Sequence, residues 1–404
     1  MQVLLNTWTG FGPPAGIGHY AQQLAQALQQ TATDEDHIHI FPPDELAQLS
    51  RQLTSPLRST RAQLSHPAMA KPMVRLVPRS ASRWLRTCAT PIRDAFRWTL
   101  GQCLRRYCRR VHAQLYHEPN FVPLCWDLPT IITVHDLSPL LFPHWHPDYR
   151  VRWLEKHWPR CVSHAHHILT VSQFTKTELT RLGGVSPERI TVTYPGIRAC
   201  FQPQKRPDAR RKIAKLGLPT NFLLYVGTLE PRKNLETVLR AYLHLPRSHR
   251  QQVPFVLAGK YGWGADSLLE LLATTGVQEG VYHLGYVPEA WLPVLYNAAR
   301  ALVYPSHYEG FGLPPVEMLA CGGRVIVSDL AIFRETLGPH ATRIAPNDPD
   351  GWYRVLYRIV VQHEFPTEPD WNAVHWARRY SWQACAQLTW QTYKSPPLAI
   401  PLAA

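Results

Sequence analysis

Nowhere does the chain hold a run of about 18 consecutive apolar residues, so no segment reads as a membrane-spanning helix. The opening MQVLLNTWTG has no charged stretch leading into a long apolar one, which excludes an ordinary secretory signal. Eight cysteines (Cys88, Cys103, Cys108, Cys125, Cys161, Cys200, Cys321, Cys385) include no CxxC pair and no zinc spacing. Reduced thiols, no disulfide and a cytoplasmic setting follow as expectations. No short-period repeat is present, which argues against a solenoid. Acids are also scarce: 29 Asp and Glu stand against 43 Lys and Arg, a formal charge of +14. Such an excess points to a polyanion, whether nucleic acid, an anionic membrane or a phosphorylated ligand.

The excess is local. Residues 51–115 hold 14 Lys and Arg against one acid, Asp94, whereas the other residues carry 29 cations and 28 anions. Composition elsewhere is that of a folded protein, 45% hydrophobic and 18% charged, and 404 residues make two domains of about 200 the natural expectation. Short apolar or β-branched runs (Val3 to Asn6, Ile38 to Phe41, Ile131 to Val134, Ile168 to Val171, Phe222 to Val226, Phe255 to Ala258, Ala301 to Tyr304, Val325 to Val327) alternate with helical patterns. Alternation of this kind predicts an α/β class with parallel sheets covered on both faces, doubly wound twice. Proline, glycine and charge in TVTYPGIRACFQPQKRPDARRK mark a boundary. The expected units are 1–199 with 51–115 inserted, 200–370, and terminal helices 371–394 crossing back to the first unit.

Within the insertion, Ile92, Phe96, Leu100, Cys103, Tyr107 and Val111 fall on one side of a helix, with Arg105, Arg106 and Arg109 away from it. Two readings stand for this basic amphipathic helix: it lies on a membrane surface, or it packs on its own domain.

Three segments have the makings of a site. GPPAGIGHY places Gly16 and Gly18 between the first strand and a helix, where backbone N–H groups can approach an anion; the full GxGxxG spacing is missing, and an ordinary turn explains the residues equally well. YVGTLEPRKN puts Arg232 and Lys233 just past a strand end and before Asn234, a good N-cap. Two cations at that edge suit a diphosphate, with solvated surface cations as the alternative. YPSHYEGFGLPPVEMLACGG follows another strand and carries Gly310 and Gly312. Prolines then open a helix that Gly322 ends. Its N-terminus offers the N–H groups of Gly312 and Leu313 to an anion. Glu309 precedes the loop and Glu317 follows eight positions later in the helix's first turn, so one carboxylate can face the reacting group while the other accepts hydrogen bonds from a ribose.

The E-x7-E pair Glu309 and Glu317 in HYEGFGLPPVEMLACG, with GTLEPRKN, GKYGWG, GYVPEAWLPVLYNAARALVYPS, and upstream AGIGHY, VHDLSPL, ILTVSQFTKTEL and TVTYPGI, resembles the retaining glycosyltransferases of family 4, in the same order over residues 2 to 345. The resemblance implies a GT-B fold, two Rossmann-like domains facing across a cleft. It also implies a hexose transfer, with mannose from GDP-mannose as the best guess, from a nucleotide-sugar donor to a glycan or lipid-diphosphate-linked acceptor. Arg232 and Lys233 would clamp the diphosphate, and Glu309 would contact the donor sugar. Glu317 would hold the ribose, Gly312 and Leu313 the phosphates, and Val287 the base through its backbone. Gly16 and Gly18 count among the donor-binding residues, and His135 in VHDL would lie near the anomeric carbon. No cofactor and no metal are implied, since the nucleotide-sugar is a substrate. Ala15, Thr228 and Arg324 depart from the usual GGIG, strand-end Gly-Arg and G-x-P-V patterns.

The basic stretch 51–115 then points to the inner face of the plasma membrane, with the protein peripheral there. A GT-B enzyme with a small soluble sugar acceptor, of the sucrose- or trehalose-synthase type, is the alternative. A nucleic-acid-binding protein is the remote alternative; no nucleic acid partner is expected, because no nucleic-acid module or stacking platform is spelled out. The histidines of SHAHHI (His164, His166, His167) read as surface and packing residues rather than metal ligands.

Overall fold

The computed structural model describes residues 1–8, 16–43, 79–364 and 368–395, with the backbone alone for 79–93 and Val277. Residues 51–78 of the basic stretch and the departure at Ala15 lie outside the described residues. Twelve strands form two six-stranded sheets among the described residues. The first comprises β1 (Gln2–Asn6), β2 (His37–Phe41), β3 (Leu115–Glu118), β4 (Thr130–Val134), β5 (His167–Thr170) and β6 (Ile190–Val192). The second comprises β7 (Leu223–Val226), β8 (Phe255–Ala258), β9 (Val281–Gly285), β10 (Ala301–Tyr304), β11 (Arg324–Ser328) and β12 (Ala341–Ile344). Every pairing is parallel, in the orders β2-β1-β3-β4-β5-β6 and β12-β11-β10-β7-β8-β9.

Both orders reverse direction once, between β1 and β3 and between β7 and β10. Crevices form outside the carboxyl ends of strands at such reversals, because neighbouring connections leave to opposite faces. The loops after β7 and β10 carry Arg232, Lys233 and Glu309, so the fold brings these residues to one crevice.

All eight apolar runs are strands or lie almost wholly within them. Four strands lie outside that pattern, and β3 shows why. Its burial is complete, yet two of its four residues are His117 and Glu118. His117 shares hydrogen bonds with Tyr393 (2.6 Å) and Thr133 (2.8 Å); Glu118 accepts from Tyr116 (2.6 Å) and Asn6 (2.8 Å). Partners mostly from other segments thus satisfy polar groups that would otherwise oppose burial.

The basic helix spans Arg79–Arg110 and packs on its own domain, but on a different line from the predicted one. Leu104 and Cys108 are buried against Leu4, Phe41, Tyr116 and Cys125, with Cys103 and Tyr107 at the margin, while Phe96 is 39% exposed. Gly101 is the cause: a Cβ there would lie 3.0 Å from the Leu124 carbonyl oxygen, so the helix approaches along its glycine side. Arg97 adds hydrogen bonds to the Val122 (2.5 Å) and Pro123 (2.8 Å) carbonyls.

Two crossings join the sheets' domains. The helix Trp382–Lys394 packs on the helix Gly16–Thr31, with the Trp390 indole donating to the Leu28 carbonyl (3.2 Å) and Lys394 paired to Asp36 (2.5 Å). The helix Trp371–Ala377 instead packs on the helix Leu313–Ala320. At the crossing, a Cβ on Gly196 would fall 2.0 Å from the Trp382 nitrogen, so the two connecting segments touch backbone to backbone.

Candidate active site

After β7 the chain makes a single 3-10 turn, Pro231–Lys233, and Asn234 takes a left-handed conformation (φ 52°). Asn234 precedes the helix Leu235–Leu243, but its side chain does not take a backbone N–H of that helix. It accepts from the Thr237 hydroxyl (2.7 Å) and donates to the Pro346 carbonyl (2.9 Å), because the left-handed backbone turns it away from the helix end.

Arg232 and Lys233 are not solvated. Lys233 is 6% exposed and donates to the Tyr304 hydroxyl (2.8 Å) and Glu309 Oε1 (2.5 Å). Arg232 donates from Nε (3.1 Å) and Nη2 (2.8 Å) to Glu230, and from Nη1 to the Tyr308 carbonyl (2.7 Å) and Glu309 Oε2 (3.0 Å). Ser306 adds a third donor to Glu309 at 2.7 Å. Burial alone would push the Glu309 carboxyl up; Arg232 and Lys233 outweigh it and hold the group down at about 2. For Lys233, burial and the neighbouring Arg232 lower the pKa against the pull of Glu309. Burial opposes the charge on Arg232 too, but Glu309, Asp136 and Glu230 win and raise it. A guanidinium has five N–H donors and an ammonium three. Four and two are engaged among the described residues, leaving one N–H on each cation without a protein acceptor there.

The loop after β10 supplies the other side. Gly312 (φ 85°) precedes the helix Leu313–Ala320, and a Cβ on it would meet the Phe333 ring at 2.6 Å. No protein acceptor among the described residues takes the N–H of Gly312 or Leu313. Glu317 lies in the second turn, not the first as predicted, since the helix begins at Leu313. It accepts from the Tyr296 hydroxyl (2.8 Å), and burial pushes its carboxyl up to about 7 against that bond. Val287 lines an apolar cavity of about 200 Å³ with Leu216, Leu284, Tyr286, Trp291 and Leu295.

The first domain meets this cluster directly. His135 closes β4, its Nε2 within 2.9 Å of the Pro119 carbonyl and its ring edge-on to Tyr20 at 4.8 Å. Burial lowers its pKa, so the imidazole is neutral. Its own carbonyl sits where a Cβ of Gly310 would be, at 1.8 Å. Tyr308 reaches across to accept from the Leu137 N–H (3.2 Å) and donate to Glu178. Trp145 stacks on His307 at 5.4 Å and 9°, and the Trp263 indole of GKYGWG donates to the Trp145 carbonyl (2.6 Å). On the far side, Glu335 accepts the N–H groups of Gln173 (2.7 Å) and Phe174 (2.9 Å) at the start of the helix Gln173–Gly183.

Gly16 and Gly18 open the helix Gly16–Thr31, and the next residue, His19, pairs with Glu289, two positions past Val287. Glu230, Ser306, Tyr304 and Asp136 belong to the cluster but were not singled out from the sequence. Glu230 and Asp136 stand inside GTLEPRKN and VHDLSPL, so the motifs flagged their positions; their partners come from other loops.

Arg324 donates to the Glu364 carbonyl (2.7 Å), tying the start of β11 to the chain beyond the helix Pro349–Val360. The SHAHHI histidines diverge: His167 bonds Thr191 (2.8 Å), whereas His164 lies against Ser163 and Trp126.

Two facing parallel-sheet domains with a buried ionic cluster between them define a GT-B architecture. Family models agree over most of the length, "Glycosyltransferase Family 4" matching residues 14–199 and "Glycosyl transferases group 1" residues 208–369. An Escherichia coli protein, O-antigen chain mannosyltransferase B, is 36% identical over 282 residues, 69% of this chain and 74% of that protein. The chain belongs to the GT-B glycosyltransferases. A second Escherichia coli relative, the serotype-specific mannosyltransferase WbdA, is 28% identical over 65% of this chain, which spans 33% of WbdA's length. Among solved structures, sucrose-phosphate synthase from Thermosynechococcus elongatus superposes with a TM-score of 0.68 over 97% of this chain and 98% of that one, at 21% identity. That likeness is one of fold.

Proposed function

We propose that this glycosyltransferase moves mannose from GDP-mannose, with retention and without a metal ion, onto a glycan carried by a lipid diphosphate. The observation that carries the reading is the pair of buried cations, Arg232 and Lys233, each with one N–H unspent among the described residues and both bonded to Glu309, whose loop goes on to the open amides of Gly312 and Leu313. Departure of a nucleoside diphosphate develops negative charge on its phosphates, and fixed cations and amides in a closed site stabilise it without reorganising. That provision is what supports metal independence. Similarity to O-antigen mannosyltransferases supports the sugar and the glycan acceptor. In this reading Glu309 contacts the donor sugar, Glu317 the ribose, Val287 the base through its backbone, and Gly16 and Gly18 close over the donor. His135 orients the reacting groups at the anomeric carbon. Glu309 is not assigned as a double-displacement nucleophile in this reading, and its bonds to Arg232, Lys233 and Ser306 suit a fixed contact to the sugar.

The test is a screen of nucleotide-sugars for binding and hydrolysis with and without a chelator, followed by transfer to lipid-diphosphate glycans and determination of the product anomer. GDP-mannose turnover with an α-linked product supports the proposal. Binding of no nucleotide-sugar, or transfer to a soluble monosaccharide only, refutes it.

A raised Glu317 pKa makes nucleotide affinity pH-dependent. Ionised above about 7, the carboxylate is the better acceptor for ribose hydroxyls; as pH falls through that value it takes a proton and loses acceptor capacity. Calorimetry should show affinity for the nucleoside diphosphate weakening from pH 8 to pH 6 in the native protein. In Glu317→Gln that difference should disappear.

No helix among the described residues is long and apolar enough to cross a membrane. Peripheral contact with an anionic leaflet is supported by the outer face of the helix Arg79–Arg110, where Arg106, Arg109 and Arg110 are exposed and Trp98 is 67% exposed. Arginine–lipid attraction and an interfacial tryptophan act together in such contacts. Replacing the three arginines with alanine should abolish flotation with anionic liposomes and leave donor hydrolysis intact. Loss of both would assign the segment to scaffolding instead.

A further inference from the structure

Next to His135, at the domain contact, stands a carboxylate to which no contact with donor or acceptor has been given. Asp136 Oδ1 accepts twice from Ser138, from its N–H (2.9 Å) and its hydroxyl (2.7 Å). Because the single hydroxyl hydrogen goes to Asp136, the Ser138 oxygen must accept at its other contact, from His146 Nε2 at 3.0 Å. His146 therefore carries its hydrogen on Nε2. Its buried Nδ1 has no partner among the described residues, and burial with Arg150 nearby lowers its pKa to about 4, which keeps the ring neutral. The chain His146–Ser138–Asp136 thus fixes the carboxylate's rotation through one oxygen.

The other oxygen is open. Asp136 Oδ2 receives no hydrogen bond from the described residues, whereas Glu309 is held by three donors. Its location is defined by contact: a Cβ on Gly310 would lie 3.0 Å from the Asp136 Cβ and 1.8 Å from the His135 carbonyl oxygen, so Asp136 borders the Glu309–Gly310 turn of the opposite domain. Although burial opposes its charge, Arg232 and the Ser138 bonds keep it ionised.

We propose that Asp136 orients the acceptor, its Oδ2 accepting a hydrogen bond from a hydroxyl of the acceptor sugar beside the anomeric carbon. An ionised carboxylate with one oxygen already fixed is an acceptor only, and it selects a neutral, hydroxyl-bearing sugar over one bearing phosphate at that position. Glu178, close by across Tyr308, adds to the same sign. The inference rests on the transferase reading above and names which residue of the first domain meets the acceptor.

Asp136→Asn tests it, because the amide oxygen can still accept from Ser138 while the second position becomes a donor. Three quantities are measured on the full chain: nucleoside diphosphate affinity, donor hydrolysis in water, and transfer rate against acceptor concentration. The expected result is a roughly 10- to 100-fold loss of kcat/KM for the acceptor, carried by KM and well beyond any change in nucleoside diphosphate affinity or donor hydrolysis. Wild-type acceptor dependence in the variant would overturn the proposal. An equal loss of donor affinity would also overturn it, since that marks a structural role. Wild-type protein that binds donor but transfers to no glycan removes the underlying reading, a result read before any variant is made.

Discussion

Lys233→Ala is expected to lower turnover by about 10²- to 10³-fold while nucleoside diphosphate affinity falls far less. That is the usual loss when one preorganised charge-stabilising donor is removed from a closed site. The position also makes the variant interpretable. Lys233 is one of three donors to Glu309, and Arg232 and Ser306 remain after the substitution. Glu309 is thus not left as an unpaired buried charge, the case in which truncating a buried pair destabilises most. Turnover and affinity measured at saturating donor separate the charge role from binding, and a thermal melt reports on the fold. Near-normal turnover would remove Lys233 from the leaving-group assignment.

Gly310→Ala should have an effect as large, by another route. The new Cβ would need the space held by the His135 carbonyl oxygen, 1.8 Å away, and by the carbonyl carbon at 2.8 Å. Backbone on both sides leaves no flexible side chain to yield. Each domain can fold with the extra methyl, but the two cannot come together at His135, so Glu309 and His135 separate. A displacement of about 1 Å between reacting groups can lower a rate about 100-fold. Small-angle scattering should report a more open variant and activity a loss of that order, with circular dichroism unchanged. An active, closed variant would mean that the His135–Gly310 contact is not required for catalysis.

Much of the architecture was legible because parallel strands buried on both faces need apolar residues throughout, and the eight apolar runs supplied them. Strand β3 escaped, since His117 and Glu118 look unfit for a core until Tyr393, Thr133, Tyr116 and Asn6 are brought beside them. The face of the basic helix was misread for a similar reason. An apolar stripe predicts which side is greasy, whereas the Gly101 contact with Leu124 sets which side can approach.

Of the site, the loops were legible and the pairings were not. Glycines and prolines after strands have few conformational alternatives, so YVGTLEPRKN and YEGFGLPPVE announced turns at strand ends. Arg232 and Lys233 looked like free surface cations or a ready clamp. They are not free surface cations, and most of their N–H groups are bonded to Glu230, Glu309, Tyr304 and the Tyr308 carbonyl. Nothing local signals that commitment, because Glu309 lies more than 70 residues from either cation.

By itself, then, the sequence determined two α/β units, the glycine- and proline-rich loops at their strand ends, and the confinement of excess positive charge to one stretch, since each depends on composition or spacing within a short window. Only the tertiary structure decided which charges neutralise one another, which oxygen of Asp136 stays open, and that Gly310 is the point of closure between domains. Those properties arise where backbone and charge from distant segments come within a few ångströms, where short-range repulsion and Coulomb attraction are strongest and sequence periodicity carries no record of them.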